Sequence, residues 1–159
     1  MNILPGIGIG NITYGINETE LIKQLGKPNH IDESEYIAGT DSWSRELWYS
    51  LKNLTFIFNK KDNYRLGTIT IMGDDHTLFN QPVLGQRLER ISRLIALETG
   101  KIAKYEDYSS TENPEYECLI HNSLGIIFWF SHKQLTHLQC SYLFEADNNT
   151  IIWPTPSGR

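Results

Sequence analysis

Between Ile9 and Pro28 the hydrophobic pattern changes period. Ile9, Ile12 and Tyr14 are strand-like, and Gly15 breaks the strand. Asn17 stands where a helix cap is wanted and Glu20 follows three positions later, the spacing of a capping box with Asn as the cap. Leu21, Ile22 and Leu25 then make one apolar stripe at helical spacing. Gly26 suits a left-handed end residue and Pro28 stops continuation. The pattern predicts a helix over about 18–25.

Beyond it the alternation is mostly that of strands. Residues 29–41 are polar, with a short strand expected near 35–38. Leu47, Tyr49 and Leu51 alternate with Glu46, Trp48 and Ser50; after a turn at Lys52-Asn53, Leu54, Phe56 and Phe58 share one face. A polar hairpin loop at 59–65 leads to a strand at 66–71. Residues 74–82 read as a connector. Leu88, Ile91, Leu94 and Ile95 predict a second helix over 86–98, ended by Gly100. Strands follow at 102–108, 116–121, 124–130 and 135–144. The tail, 145–159, has an apolar patch at Ile151–Trp153 and a loose Pro-rich end.

The two halves repeat. Gly15 and Gly85 both precede a helix and lie 70 residues apart (15 to 85), and Leu21 with Ile91 and Leu25 with Ile95 keep that spacing. Leu54-x-Phe56-Ile57-Phe58 matches Leu124-x-Ile126-Ile127-Phe128 at the same shift, and Leu66 matches Leu135 with one residue lost from the hairpin loop. The expected fold class is therefore α+β: one domain, 1–159, of two duplicated helix-plus-antiparallel-meander units at about 6–73 and 78–144. Neither unit buries its apolar face alone, so the two are expected to pack together.

The run Tyr14-Gly15, cap, Glu20-Leu21, Leu25-Gly26, Pro28 followed by an apolar meander resembles the small outer-membrane-assembly lipoprotein domain (SmpA/OmlA, or BamE-like). In tandem it resembles the β-lactamase-inhibitor-protein architecture, which implies that the two units join in one curved antiparallel sheet with helices on one face and a concave face that grips a protein. The chain is also similar in general character to the small acidic immunity proteins of bacterial toxin–immunity systems of the contact-dependent growth inhibition type. That resemblance implies stoichiometric neutralisation of a toxin domain, with a basic nuclease suited by charge. The alternative reading is a BamE-like structural or assembly adaptor.

Composition fits an ordinary globular protein, with 40% hydrophobic and 21% charged residues. The net charge of -5 argues against general nucleic-acid binding, which needs clustered Lys and Arg. The beginning of the chain, MNILPGIG, has no basic region and no long apolar run, so a cytoplasmic protein without a membrane span is expected. Cys118 and Cys140 form neither a CxxC pair nor a disulfide framework and read as small buried thiols. Asp74-Asp75-His76 is the densest ionisable cluster, read as a solvated linker rather than a metal site. His121 and His137 read as structural. No HExxH, GxSxG or phosphate-loop signature occurs, so no catalytic residue, metal or cofactor is assigned and no enzyme is expected.

Alternation assigns the partner surface. If Leu54, Phe56 and Phe58 face the helices, the open sheet face carries Trp48, Ile57, Thr68, Trp129 and His137, with Glu46 at its rim. A Trp and Ile cluster among polar residues is the composition of a protein-binding surface, the alternative being that the long tail or a second copy covers that face. The two tryptophans are expected to share one concavity.

Overall fold

The computed structural model describes residues 1–155. Three short strands open the chain, β1 (Asn2–Leu4), β2 (Gly8–Ile9) and β3 (Ile12–Thr13), followed by α1 (Glu18–Leu25). Four longer strands come next: β4 (His30–Glu35), β5 (Trp43–Tyr49), β6 (Leu54–Asn59) and β7 (Arg65–Ile71). A small hairpin of β8 (Thr77–Leu78) and β9 (Gln81–Pro82) precedes α2 (Leu88–Thr99). Then come β10 (Lys104–Asp107), β11 (Tyr116–His121), β12 (Ile126–Ser131) and β13 (Gln134–Ser141), and a closing hairpin of β14 (Leu143–Phe144) and β15 (Ile151–Ile152).

Both helices end as their sequences direct, by different means. At α1 both reciprocal bonds of the capping box form: Asn17 Oδ1 accepts from the Glu20 amide at 2.9 Å, and Glu20 Oε2 accepts from the Asn17 amide at 2.8 Å. α2 has no side-chain cap. Its Leu88 amide donates instead to the Lys133 carbonyl at 3.0 Å, in the turn between β12 and β13. Gly100 ends α2 in the left-handed region, its amide donating to Ala96 O at 2.9 Å.

The fold is mixed α+β, with a main sheet of eight antiparallel strands in the order β10-β11-β12-β13-β7-β6-β5-β4. The last strands of the two halves meet at its centre, Thr70 lying opposite Gln139. Alternation buries Leu47, Leu54, Phe56, Phe58, Ile69, Phe128, Phe130 and Leu138 on one face. There they share a core with Leu21 of α1, Ile91 and Ile95 of α2, and Ile3, Ile9 and Leu78 of the small sheet. That small sheet, order β3-β2-β1-β8-β9, joins the chain start to residues 77–82 through a parallel pairing of β1 with β8. The helices and the small sheet cover one face of the main sheet; among the described residues no second layer of secondary structure covers the other face.

Cross-strand register corrects the alignment of the halves. Phe58 faces Leu66, with a bulge that leaves Gly67 unpaired; Phe130 faces Leu135, with a bulge that leaves Thr136 unpaired. The position corresponding to Phe58 is therefore Phe130, a shift of 72 (58 to 130), not Phe128. Leu66 and Leu135 keep the shift of 69 (66 to 135). The three-residue difference lies in the hairpin turn. His132 and Lys133, both at positive φ, make a two-residue connection in place of residues 60–64.

Three further expectations change. The strand near 35–38 lies earlier, at His30–Glu35, because a fully exposed edge strand has no alternation to mark it. The connector 74–82 contains the β8–β9 hairpin. The tail is tied down through Trp153, which packs on Tyr142 at 5.1 Å between ring centroids, lies under the Arg65 guanidinium at 5.6 Å, and rests over Gly15. The last four residues of the expected loose end, 156–159, lie outside the described residues. No described helix is long and apolar enough to cross a membrane.

Candidate protein-binding face

The six residues assigned to the partner surface all project from the uncovered face, because each pairs only with others of that face. Glu46 lies opposite Ile57 and Ile57 opposite Thr68; Trp129 lies opposite His137. Trp48 belongs to a row that crosses all eight strands: Lys104, Ile120, Ile127, Gln139, Thr70, Thr55, Trp48, His30. The two tryptophans do not share one concavity. Four strand steps separate β12 from β5, about 19 Å at ~4.8 Å per step. By register, Trp129 corresponds to Ile57 and Trp48 to Ile120.

Trp129 is the centre of an aromatic ladder. Its ring stacks on Tyr116 at 5.1 Å with 11° between planes and on His137 at 6.0 Å with 14°, and Tyr108 meets it edge-on at 5.3 Å. The indole N–H donates to Gln139 Oε1 at 2.9 Å, and the Thr136 hydroxyl at the bulge donates to the Trp129 carbonyl at 3.1 Å. Each aromatic pair contributes about 0.5–1.5 kcal/mol beyond burial, so the chain's own contacts fix the Trp129 ring in place. Burial holds the His137 imidazole below its ordinary pKa, which keeps the ladder uncharged at neutral pH. Glu106, at the ladder's edge, is bonded by Lys104 at 2.6 Å and by the Tyr108 hydroxyl at 2.7 Å; these partners hold its carboxyl below the usual range.

Next to the ladder an open groove of about 960 Å³ runs between the main sheet and the β14–β15 hairpin. Ile120, Ile127, Gln139 and Thr68 belong to its sheet side, and Phe144 and Glu145 to its wall. The tail therefore borders the open face without filling it. Tyr116 was within reach of sequence reasoning, since the predicted 116–130 hairpin brings it alongside Trp129. Tyr108, read as the end of a strand at 102–108, lies one residue beyond β10, and its meeting with Trp129 across β11 depends on a strand pairing that no period specifies.

His76, His121 and the two cysteines are taken up by the fold. His76 is buried, not solvated: its Nε2–H donates to the Lys52 carbonyl at 2.8 Å, while Nδ1 faces the Met1 nitrogen at 3.4 Å. His121 lies between the Thr99 hydroxyl at 3.2 Å and the Ser123 hydroxyl at 3.3 Å, and burial followed by Lys101 lowers its pKa. Cys118 lies opposite Trp129 on the uncovered side and Cys140 opposite Ile126 on the core side, so the sheet separates the two thiols. Burial raises both, Cys140 to about 12. Among the described residues no group of His, Cys, Asp and Glu is arranged to hold a metal ion. No protein-family model, curated protein or solved structure matches the chain.

Proposed function

We propose that this protein is a non-catalytic inhibitor that works by stoichiometric binding, an immunity protein that neutralises a cognate bacterial toxin domain in the cytoplasm. The observation that carries this reading is the ladder around Trp129. A large aromatic side chain, held by three neighbouring rings and a hydrogen bond, lies half-buried on a sheet face that no secondary structure among the described residues covers. Rigid aromatic anchors of this kind dominate protein interfaces, since little side-chain entropy is lost on docking.

The two halves are read as duplicated units. The same order of helix and four strands supports this, as do bulges at corresponding positions. So do matching turn bonds: Gly15 N to Leu66 O at 2.9 Å and Gly85 N to Leu135 O at 2.8 Å. The net charge of -5 suits a basic partner such as a nuclease toxin domain.

The experiment is co-purification with the C-terminal domain of a toxin encoded beside this gene, followed by titration calorimetry. Trp129→Ala is expected to weaken binding by about 2 kcal/mol or more, roughly 30-fold. Wild-type affinity in folded Trp129→Ala and Trp48→Ala variants would move the centre of the interface off the two tryptophans, to the acidic loops around Asp41 and Glu106 to Glu117.

A further inference from the structure

The first half of the open face holds a charge arrangement that the chain itself does not balance. Asp32 and Glu46 lie directly opposite on neighbouring strands, where like charges repel. Among the described residues neither has an ion-pair partner. Arg45, between Ser44 and Glu46, points to the other face and is engaged by Glu18 at 2.9 Å and Glu33 at 2.6 Å. Arg65, at the end of β7, is turned onto Trp153. Burial and then Asp32 hold the Glu46 carboxyl above its ordinary pKa.

Two neighbours complete the arrangement. Trp48 is two residues along the strand from Glu46, on the same face, and 37% exposed. Opposite it lies Thr55, 3% exposed, whose hydroxyl has no hydrogen-bond partner. An unpartnered buried hydroxyl destabilises the fold. A planar cation would meet the exposed features, stacking on the indole and bridging the two carboxylates, and would reach the covered Thr55 hydroxyl by displacing the side chains over it.

We propose that Asp32, Glu46, Trp48 and Thr55 form a subsite for an arginine side chain of the partner protein. This rests on the reading of the open face as a docking surface. Arginine fits better than lysine because an ammonium is a point charge that neither stacks flat nor bonds two carboxylates in one plane. In the complex the arginine neutralises the repulsion that the free protein tolerates, while the Trp129 ladder supplies the apolar anchor.

The probe is a hexa-arginine peptide, followed through the indole N–H signals of the four tryptophans at about 150 mM salt, where the Debye length is about 8 Å. Trp48 is expected to shift most, and saturably, with hexa-lysine binding tenfold or more weakly. Asp32→Asn with Glu46→Gln is expected to cost tenfold or more, Thr55→Val about threefold. Glu98→Gln, an exposed charge on α2, is expected to leave affinity unchanged. A dominant shift at another tryptophan, equal affinity for hexa-lysine, or an unaffected double variant overturns the proposal. If the co-purified partner loses affinity with Trp129→Ala but not with the folded Asp32→Asn/Glu46→Gln variant, the subsite is wrong and the docking face stands.

Discussion

The two halves of the main sheet have the same strand order and corresponding bulges, yet their uncovered faces differ in chemistry. Where the second half has Tyr116, Trp129 and His137, the register of the first half places Ser44, Ile57 and Thr68. Where the first half has Glu46 and Trp48, the second has Cys118 and Ile120. The covered face differs too. Arg45 is gripped by Glu18 and Glu33, whereas the corresponding Glu117 is buried and gripped by Lys133. The backbone plan sets where a side chain points and the residue sets what that position does, so matching positions give one aromatic face and one acidic face.

The largest expected effects are those in which the halves behave alike. Phe58 and Phe130 are both fully buried and occupy corresponding positions. Phe58→Ala and Phe130→Ala should each lower stability by about 3–5 kcal/mol in urea unfolding. Phe128, equally buried, belongs in the same range. A loss below about 1 kcal/mol at any of them would break the assignment of the core face.

Binding should separate the halves. Against a cost of about 2 kcal/mol or more for Trp129→Ala, the corresponding Ile57→Ala should cost less than about 1 kcal/mol, because Ile57 has no ladder around it. Equal losses would place the centre of the interface between the halves rather than on the second.

Acid should also act on one half. His121 and His137 both have depressed pKa values from burial and both lie in the second half. An imidazole held below its ordinary value stabilises the fold fully above the unfolded value of about 6.5, and that contribution is lost as pH falls through the native value. The urea midpoint should therefore decline below about pH 6.5, and His121→Gln with His137→Gln should flatten the decline. An unchanged slope would assign it to carboxylates instead.

The smallest effect is a gain. Glu46 is held above its ordinary carboxyl value, so its ionised form opposes folding at neutral pH and the penalty disappears as pH falls through the raised value. Glu46→Gln should stabilise the protein by about 0.5 kcal/mol at pH 7, with the gain vanishing in acid. Equilibrium unfolding at two pH values reads both signs.

Much of this plan was legible in the sequence. The capping residues Asn17 and Glu20 marked α1 to the residue, since a cap acts through local bonds alone. Alternation marked the faces of β5, β6, β7, β12 and β13, and with them the six face residues, because one side of each strand is buried. What escaped depends on contacts between distant residues. The two-residue strands β8 and β9 are too short for a period, and β4 is polar on both sides. The constant shift of 70 failed because hydrophobic matches tolerate a slip of two along a strand, which preserves the face and changes the row. For the same reason the sequence placed both tryptophans on the right face and could not space them.

The meeting of β7 with β13 at the sheet's centre also orders events during synthesis. All of the first half, with its strands and α1, precedes residue 72, but the strand that covers the free edge of β7 ends at Ser141. At roughly 5–20 residues per second the ribosome leaves that edge unpaired for about 4–14 s. β7 reads RLGTITI, a β-branched run with a single charge, and its bulge at Gly67 bends one end of it. For those seconds the nascent chain presents an adhesive strand to its neighbours, and the arrival of β13 turns a sticky intermediate into a closed seam.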